Sequence, residues 1–411
     1  MTILRQKMFT ENFFNLLLDL ESGWEVKSVS TSLDKGEVFL EIKCNLNKII
    51  DKETGDLCAV YDHAPLRSWR HLDTMQYKTF ISCSLPRIKT SKGKVKTVQP
   101  NWASSFERHT HLFEHAVIDL LKASKNQTKT AELMRCGFNV INRIMHSSSE
   151  RGMKRRSLEE LKFDHLSIDE KSFKKGHKYI TVLSHPRSGC VLEVEEDRTK
   201  ESCKRLLNKS LTTEQQQNVN TISMDMWKAF INTAKEMLTN AAIVHDRFHL
   251  IKYLNDAIDK VRRREVKQHE ELKNSRYALL KNQANLTDKQ RILFDMISSS
   301  NYEVSKAWQV RENFKDLFSS DQSSGFVLYM RLASDSLKRN IKEVTKIVTM
   351  FNNHIVGVVN ALTMDYNNAM AERLNGKIQE LKTVGRGYRT FQNFRSAILF
   401  FYGGLNLYPL N

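Results

Sequence analysis

The sequence predicts a multidomain α+β protein in which a mixed sheet is interrupted by an all-helical insertion. A helix-turn-helix and a small N-terminal β module precede that sheet. Three observations lead there. Alternating apolar residues characterise much of the first hundred positions and recur from Leu161 to about Glu196. Strand and helix patterns then take turns up to residue 261. A basic, proline-free, helical stretch follows before amphipathic helix resumes near the C-terminus.

Composition sets the chemical frame. At 411 residues the chain can form two or three domains, each with its own core. Sixty-four Lys plus Arg against 47 Asp plus Glu give a net charge of +17, spread along the chain, which points to a polyanionic partner and to nucleic acid first. No apolar run approaches the roughly 18 residues of a spanning helix, and the N-terminus lacks a signal-peptide core, so a cytoplasmic protein without membrane contact is expected. Six widely spaced cysteines without a paired C-x-x-C suit free thiols in a reducing compartment.

The elements follow in order. Residues 1–102 read as the β module: a short helix, then a strand pair turning at "DKGE", with Val38, Leu40 and Ile42 on one face of the second strand. Residues 103–158 read as helical. Within them "TKTAELMRCGFNVINRIMHSSSERGMKRR" has the form of a helix-turn-helix, with Ala131, Leu133 and Met134 on the first helix, Gly137 at the turn, and Val140, Ile141 and Ile144 on the second. That geometry turns Phe138, Asn139, Asn142 and Arg143 toward a DNA groove; the alternative is an ordinary helical hairpin.

Residues 160–261 read as three meander strands joined by "FKKG" and "HPRSG", followed by helix, strand "VNTISMD", helix "WKAFINTAKEML", strand "NAAIVHD" and the helix opened by "RFHLIKYL". Three meander strands followed by α-β-α-β-α match the element order of a ribonuclease-H-like fold. Residues 262–362 read as the helical insertion, with Thr287 and Gln290 forming a capping box. Residues 363–411 return to the sheet domain, with a stop at "GRGYR" before a last apolar helix.

Three carboxylates stand out by position: Asp169 in the first meander strand, Asp225 at the end of "ISMD", and Glu372 on the helix after the insertion. If the two strands are neighbours, their aspartates converge at one place on the sheet and Glu372 crosses above it. Such a trio suits two Mg²⁺ ions, or Mn²⁺ in their place, and phosphodiester chemistry. The bland reading of any single Asp here is a turn residue or helix cap. Glu170 alternates to the other sheet face and is the weaker candidate. Arg386, Tyr388 and Arg389 could grip DNA beside the site, whereas Phe391 and Phe394 have the spacing of core residues. Trp227 and His177 are assigned no chemistry.

The blocks "RSWRHLDTMQYKTFI", "LSIDEKSFKKGHKYITVL", "ISMDMWKAFI", "VHDRFHLIKYLNDAIDKVRR", "SRYALLKNQANLT" and "AMAERLNGKIQELKTVGRGYRTFQNFRSAILFFYG" together resemble DDE transposases of bacterial insertion sequences in the ISL-three family. The resemblance implies a ribonuclease-H-like catalytic domain, a metal-binding DDE triad, an N-terminal zinc ribbon and a helix-turn-helix for the element's terminal inverted repeats. Asp169 matches the first aspartate and Glu372 the glutamate. Fold order assigns the second aspartate to Asp225. Asp246 and His249 then match an accessory D-x-x-H motif, and their one-turn spacing would let Asp246 cap the helix and accept from the imidazole. A zinc site from His245, Asp246 and His249 lacks further ligands nearby.

The chain departs from the family in the N-terminal module. Cys44 is followed by Asn47, "TSKG" stands where a second cysteine pair would fall, and Cys58, His63, His71 and Cys83 lack ligand spacing, which puts zinc there in doubt. The expected activity is cleavage and strand transfer on double-stranded DNA, both inverted repeats and target, by a homodimer or larger assembly on DNA. Two other readings stay open: a catalytically inactive DNA-binding relative that represses transposition, favoured by the eroded cysteine pairs, and a structure-selective nuclease, for which a helix-turn-helix is unnecessary.

Overall fold

The structure, a computed structural model, describes every residue except 1, 19, 158–161, 175, 177, 365–368, 386 and 410–411, with backbone alone for 2–9, 319, 322 and 369. It is a mixed α+β chain in two compact units, Met1–Met153 with Asn406–Asn411, and Lys154–Leu405. The last residues, expected with the sheet domain, therefore belong to the first unit. The expected boundary at 158–160 and His177 lie outside the described residues.

In the first unit, helix α1 (Thr2–Leu18) precedes strands β1 (Trp24–Ser32), β2 (Glu37–Cys44), β3 (Lys48–Ile50), β4 (Leu57–His63), β5 (Arg67–Arg70), β6 (Lys78–Cys83), β7 (Pro86–Lys89) and β8 (Val95–Thr97). They form two four-stranded sheets, ordered β1-β2-β6-β5 and β3-β4-β7-β8. Gly36, with φ 63°, makes the β1–β2 turn, and alternation buries Val38, Leu40 and Ile42 against Trp69 and Ile81. Cys83 sits in that core, where burial pushes its thiol up to about 12.

Helices α2 (His111–Ser124), α3 (Gln127–Leu133) and α4 (Phe138–Ser157) follow. Thr110 caps α2 and Asn126 caps α3, each accepting a backbone N–H. Ala131, Met134, Ile141 and Ile144 are buried as expected, but Leu133 is 56% exposed. The left-handed residue between α3 and α4 is Arg135 (φ 49°), not Gly137, and its guanidinium is tied to Asp73 with a 3.0 Å Nε contact. Phe138, Asn139 and Arg143 are exposed, and Asn142 is half-buried.

The second unit holds one five-stranded sheet: β9 (His165–Lys174), β10 (Lys178–His185), β11 (Cys190–Glu196), β12 (Thr221–Met224) and β13 (Ala242–His245), in the order β11-β10-β9-β12-β13. The meander strands pair antiparallel, while β12 runs parallel to both β9 and β13. Parallel neighbours need crossover connections, supplied by helices α5 (Lys200–Ser210), α6 (Thr213–Gln217) and α7 (Lys228–Met237). Leu166, Ile168, Leu183, Leu192, Ile222 and Met224 share one core with Leu206, Leu207, Phe230 and Ala234 of α5 and α7.

Helix α8 (Arg247–Glu265) runs without a break across the expected insertion boundary at Arg262. It shares a second core with α9 (Arg276–Leu280), α10 (Asp288–Ser298), α11 (Glu303–Asp316), α12 (Gln322–Lys338), α13 (Lys342–Asn353) and α14 (Ile355–Thr363). The Thr287–Gln290 capping box forms at the start of α10. Helix α15 (Ala369–Val384) carries Glu372, and α16 (Phe391–Tyr402) packs on β11, where Arg395 donates to the buried Glu193 with a 2.6 Å Nε contact.

His165 is buried at the β9–β12 seam, within 2.6 Å of the Thr221 hydroxyl, and burial pushes its imidazole down to about 4. The fold thus favours the neutral ring, while the unfolded chain protonates near the ordinary value of about 6.5. This contribution to stability is complete above about pH 6.5 and declines as pH falls toward 4. In His165→Asn, denaturant midpoints measured from pH 7 to 4 should fall less steeply than in the unsubstituted protein.

Candidate active site

The site is built by strand register. Ser223 of β12 pairs with Ser167 of β9, and Met224 pairs with His245 of β13. Two residues beyond the first pair lie Asp169 and Asp225; one beyond the second lies Asp246. Strand alternation puts these three on the sheet face opposite the Leu166–Ile222–Met224 core. Asp169 and Asp225 fall where their strands emerge from the core: β9 is buried from His165 to Ile168 and half-buried at Asp169, and β12 is buried throughout before the half-buried Asp225, whereas Asp246 is itself buried.

Helix α15 reaches Asp169. Asn375, one turn beyond Glu372, donates through Nδ2 to Asp169 Oδ2, and Lys171 Nζ lies 3.3 Å from the same oxygen. Burial raises the Glu372 pKa, and the carboxylates of Asp246 and Asp169 raise it further against the opposing pull of His249 and Lys171. Glu372 therefore shares an electrostatic neighbourhood with Asp169, Asp246 and His249.

Asp225 is held from α8. The Tyr253 hydroxyl lies 3.1 and 3.2 Å from its two carboxylate oxygens, and His249 Nδ1 is 3.5 Å from Oδ2. Burial and the Asp225 charge push the Tyr253 phenol well above its ordinary range. His249 and Tyr253, four residues apart, lie on one helix face. Asp246 is 6% exposed and caps α8 by accepting from Phe248 N at 2.9 Å. The cap matches the sequence expectation, but the contact shown for His249 is with Asp225, across the strand ends, in place of Asp246.

Among the described residues, no group of three or more His, Cys, Asp or Glu side chains gathers into a metal-holding cluster. The carboxylates are instead engaged by Asn375, Lys171, Tyr253 and His249. The donor chemistry is nonetheless that of a hard divalent cation: all-oxygen ligands at adjacent strand ends, with a glutamate whose ionisation its acidic neighbours oppose.

Sequence reading missed Asn375, Lys171 and Tyr253. The signal was present as helical spacing, Glu372 with Asn375 and His249 with Tyr253, but it points nowhere until the helices are placed. Arg389 is exposed, and its backbone carbonyl accepts from Lys174 Nζ at 2.6 Å; Arg386 lies outside the described residues. Phe394 is buried and stacks on Phe173, as its spacing implied. Among the described residues no helix is long and apolar enough to cross a membrane.

Residues 166–398, which include these strand ends and helix α15, match a family model described as "Transposase". That match covers more than half of the chain, which belongs to the ISL3 family of DDE transposases. The chain is 25% identical over 364 residues to the transposase for insertion sequence element IS1557 of Mycobacterium tuberculosis, covering 81% of each protein. It is 22% identical over 395 residues to the transposase for insertion sequence element IS1001 of Bordetella parapertussis, covering 92% of this chain and 96% of the relative.

Helix α14 docks against β13 beside the site. Asn360 Nδ2 donates to Ile243 O at 2.8 Å, Arg247 Nε to Ala361 O at 2.6 Å, and a Cβ built on Gly357 would stand 2.6 Å from the His245 ring. Alanine normally favours a helix over glycine by about 1 kcal/mol. Here the overlap reverses the sign, and Gly357→Ala should destabilise the protein by about 1–3 kcal/mol. In a His245→Ala background the same change should become neutral or stabilising, a reversal read by chemical denaturation of the four proteins of the cycle.

Proposed function

We propose that this transposase binds the terminal inverted repeats of its own element and catalyses metal-dependent strand cleavage and strand transfer on double-stranded DNA. The reading assigns Asp169, Asp225 and Glu372 as the catalytic carboxylates on a ribonuclease-H-like sheet. The observation that carries it is the parallel register that sets Asp169 and Asp225 level on adjacent strands beneath α15. The order β11-β10-β9-β12-β13, with three antiparallel strands followed by two parallel ones, supports the fold assignment.

The three carboxylates would hold Mg²⁺ or Mn²⁺, as two ions. When bound, such ions lower the pKa of an attacking water or 3′-hydroxyl and neutralise charge on the phosphate. The chain's own residues hold the carboxylates in place. Tyr253 and His249 fix Asp225, Asn375 and Lys171 fix Asp169, and the Asp246 cap anchors α8, which carries Tyr253 and His249. Water serves as nucleophile for cleavage, and the freed 3′-hydroxyl serves for joining.

The α3–α4 pair is assigned as the helix-turn-helix. The exposed Phe138, Asn139 and Arg143 and the half-buried Asn142, together with Arg386 and Arg389 after α15, are the proposed DNA contacts. Two element ends must meet for transposition, so a homodimer or larger assembly on DNA is proposed.

A specific observation favours an alternative second aspartate: after burial, the Asp246 charge is what most opposes the ionisation of Glu372. Incubation of the protein with inverted-repeat DNA and Mg²⁺ separates the two assignments. Asp225→Ala should reduce boundary cleavage and joining on the order of a thousandfold or more. Asp246→Ala should lose a helix cap, cost about 1 kcal/mol of stability, and leave most of the cleavage rate. The opposite pattern in folded proteins would transfer the role to Asp246. Specific binding without cleavage by the unsubstituted protein would favour the repressor reading.

A further inference from the structure

Beside the carboxylates stands a group of side chains with no role in holding them. Trp227, two residues past Asp225, occupies the N-cap position of α7, makes no side-chain cap bond and is 41% exposed. Ser, Thr, Asp or Asn would serve the helix better there, so local folding does not explain an aromatic ring. The ring is nevertheless fixed. Its Nε1 donates to the Arg198 carbonyl at 3.0 Å, and the Arg198 guanidinium lies 4.4 Å from its centroid.

Arg198 is itself held on two sides. Its guanidinium sits 4.3 Å from the Tyr179 ring, and Nη1 contacts the two Glu170 carboxylate oxygens at 2.8 and 3.1 Å. Glu170 is the immediate neighbour of Asp169. The group therefore links β9, at the residue after Asp169, to the start of α7, two residues after Asp225. The charge of Arg198 is matched by Glu170, and beside it lies the uncovered part of a pinned indole. A pinned π-surface accepts a flat aromatic ring at low entropic cost.

We propose that Trp227 is a stacking platform for one unstacked nucleobase next to the phosphate undergoing cleavage. The inference rests on the assignment of Asp225 to the active site. A paired base has both faces covered by its neighbours, so the platform acts only on a base that has left the stack. Stacking of this kind tolerates any base. Trp227 is thus a positioning residue: it favours the distorted strand and orients the adjacent phosphate.

The test uses the full chain and a duplex carrying a single 2-aminopurine opposite an abasic site, with a fully paired duplex as control. At saturating protein, the unsubstituted chain should quench 2-aminopurine emission by about half or more. Trp227→Ala should leave emission near the protein-free value and bind the abasic duplex about tenfold more weakly, with little change on the paired duplex. Trp227→Phe should retain part of both effects, and unchanged thermal melting of the variants would exclude a folding defect. Equal emission with the unsubstituted protein and Trp227→Ala, or equal weakening on both duplexes, overturns the proposal. Asp225→Asn should keep the quenching while losing inverted-repeat cleavage. Retained cleavage in that variant would sink the active-site assignment alone; lost cleavage without Trp227-dependent quenching would sink the platform alone.

Discussion

The parallel insertion of β12 between β9 and β13 is the constraint on which the site depends. Its backbone ladder sets Ser223 against Ser167 and Met224 against His245, bringing Asp169, Asp225 and Asp246 to one edge of the sheet. The side-chain period of a strand is two, so a slip of one residue in β12 would move Asp225 to the α5–α7 face and carry Ile222 and Met224 out of their core. Apolar burial and carboxylate placement are therefore fixed by the same register. His165, buried at that seam with Thr221 and Ser223, is the polar part of the same lock.

The helices add what the sheet cannot. A strand-end aspartate has only its own backbone to orient it; here α8 supplies Tyr253 and His249 to one carboxylate, and α15 supplies Asn375 to another. The insertion bears on this arrangement through α14, which approaches β13 so closely that only glycine fits against His245. Arg247 also ties the start of α8 to the end of α14 through the carbonyls of Ala361 and Met364. The long excursion between the second and third carboxylate segments thus returns to the edge strand of the sheet it left.

The electrostatics are local as well as global. A chain of net charge +17 attracts polyanions from any direction, which gives affinity without position. Against that background stands a small acidic focus in which the neighbouring carboxylates of Asp246 and Asp169 oppose the ionisation of Glu372, with Lys171 beside Asp169. Sequence reading set Glu170 aside for its strand face and gave Trp227 no chemistry. In the structure Arg198 joins the two, pairing with the Glu170 carboxylate and lying over the Trp227 ring.

By itself the sequence determined the strand and helix order of the second unit, the alternating core of β2, the Thr287 capping box and the Asp246 cap, because these follow from local periodicity and from hydrogen bonds a few residues apart. The family blocks were likewise legible in chain order. Partners far apart in the chain were decided by tertiary structure alone: Asn375 on Asp169, Tyr253 and His249 on Asp225, Arg395 on Glu193, Gly357 against His245, and the last residues joining the first unit. His249 illustrates the divide. Its spacing suggested Asp246 one turn away, yet that carboxylate caps α8, and the imidazole meets Asp225 on the neighbouring strand. Helical spacing fixes which face a side chain occupies, whereas its partner depends on which strand end the fold places opposite that face.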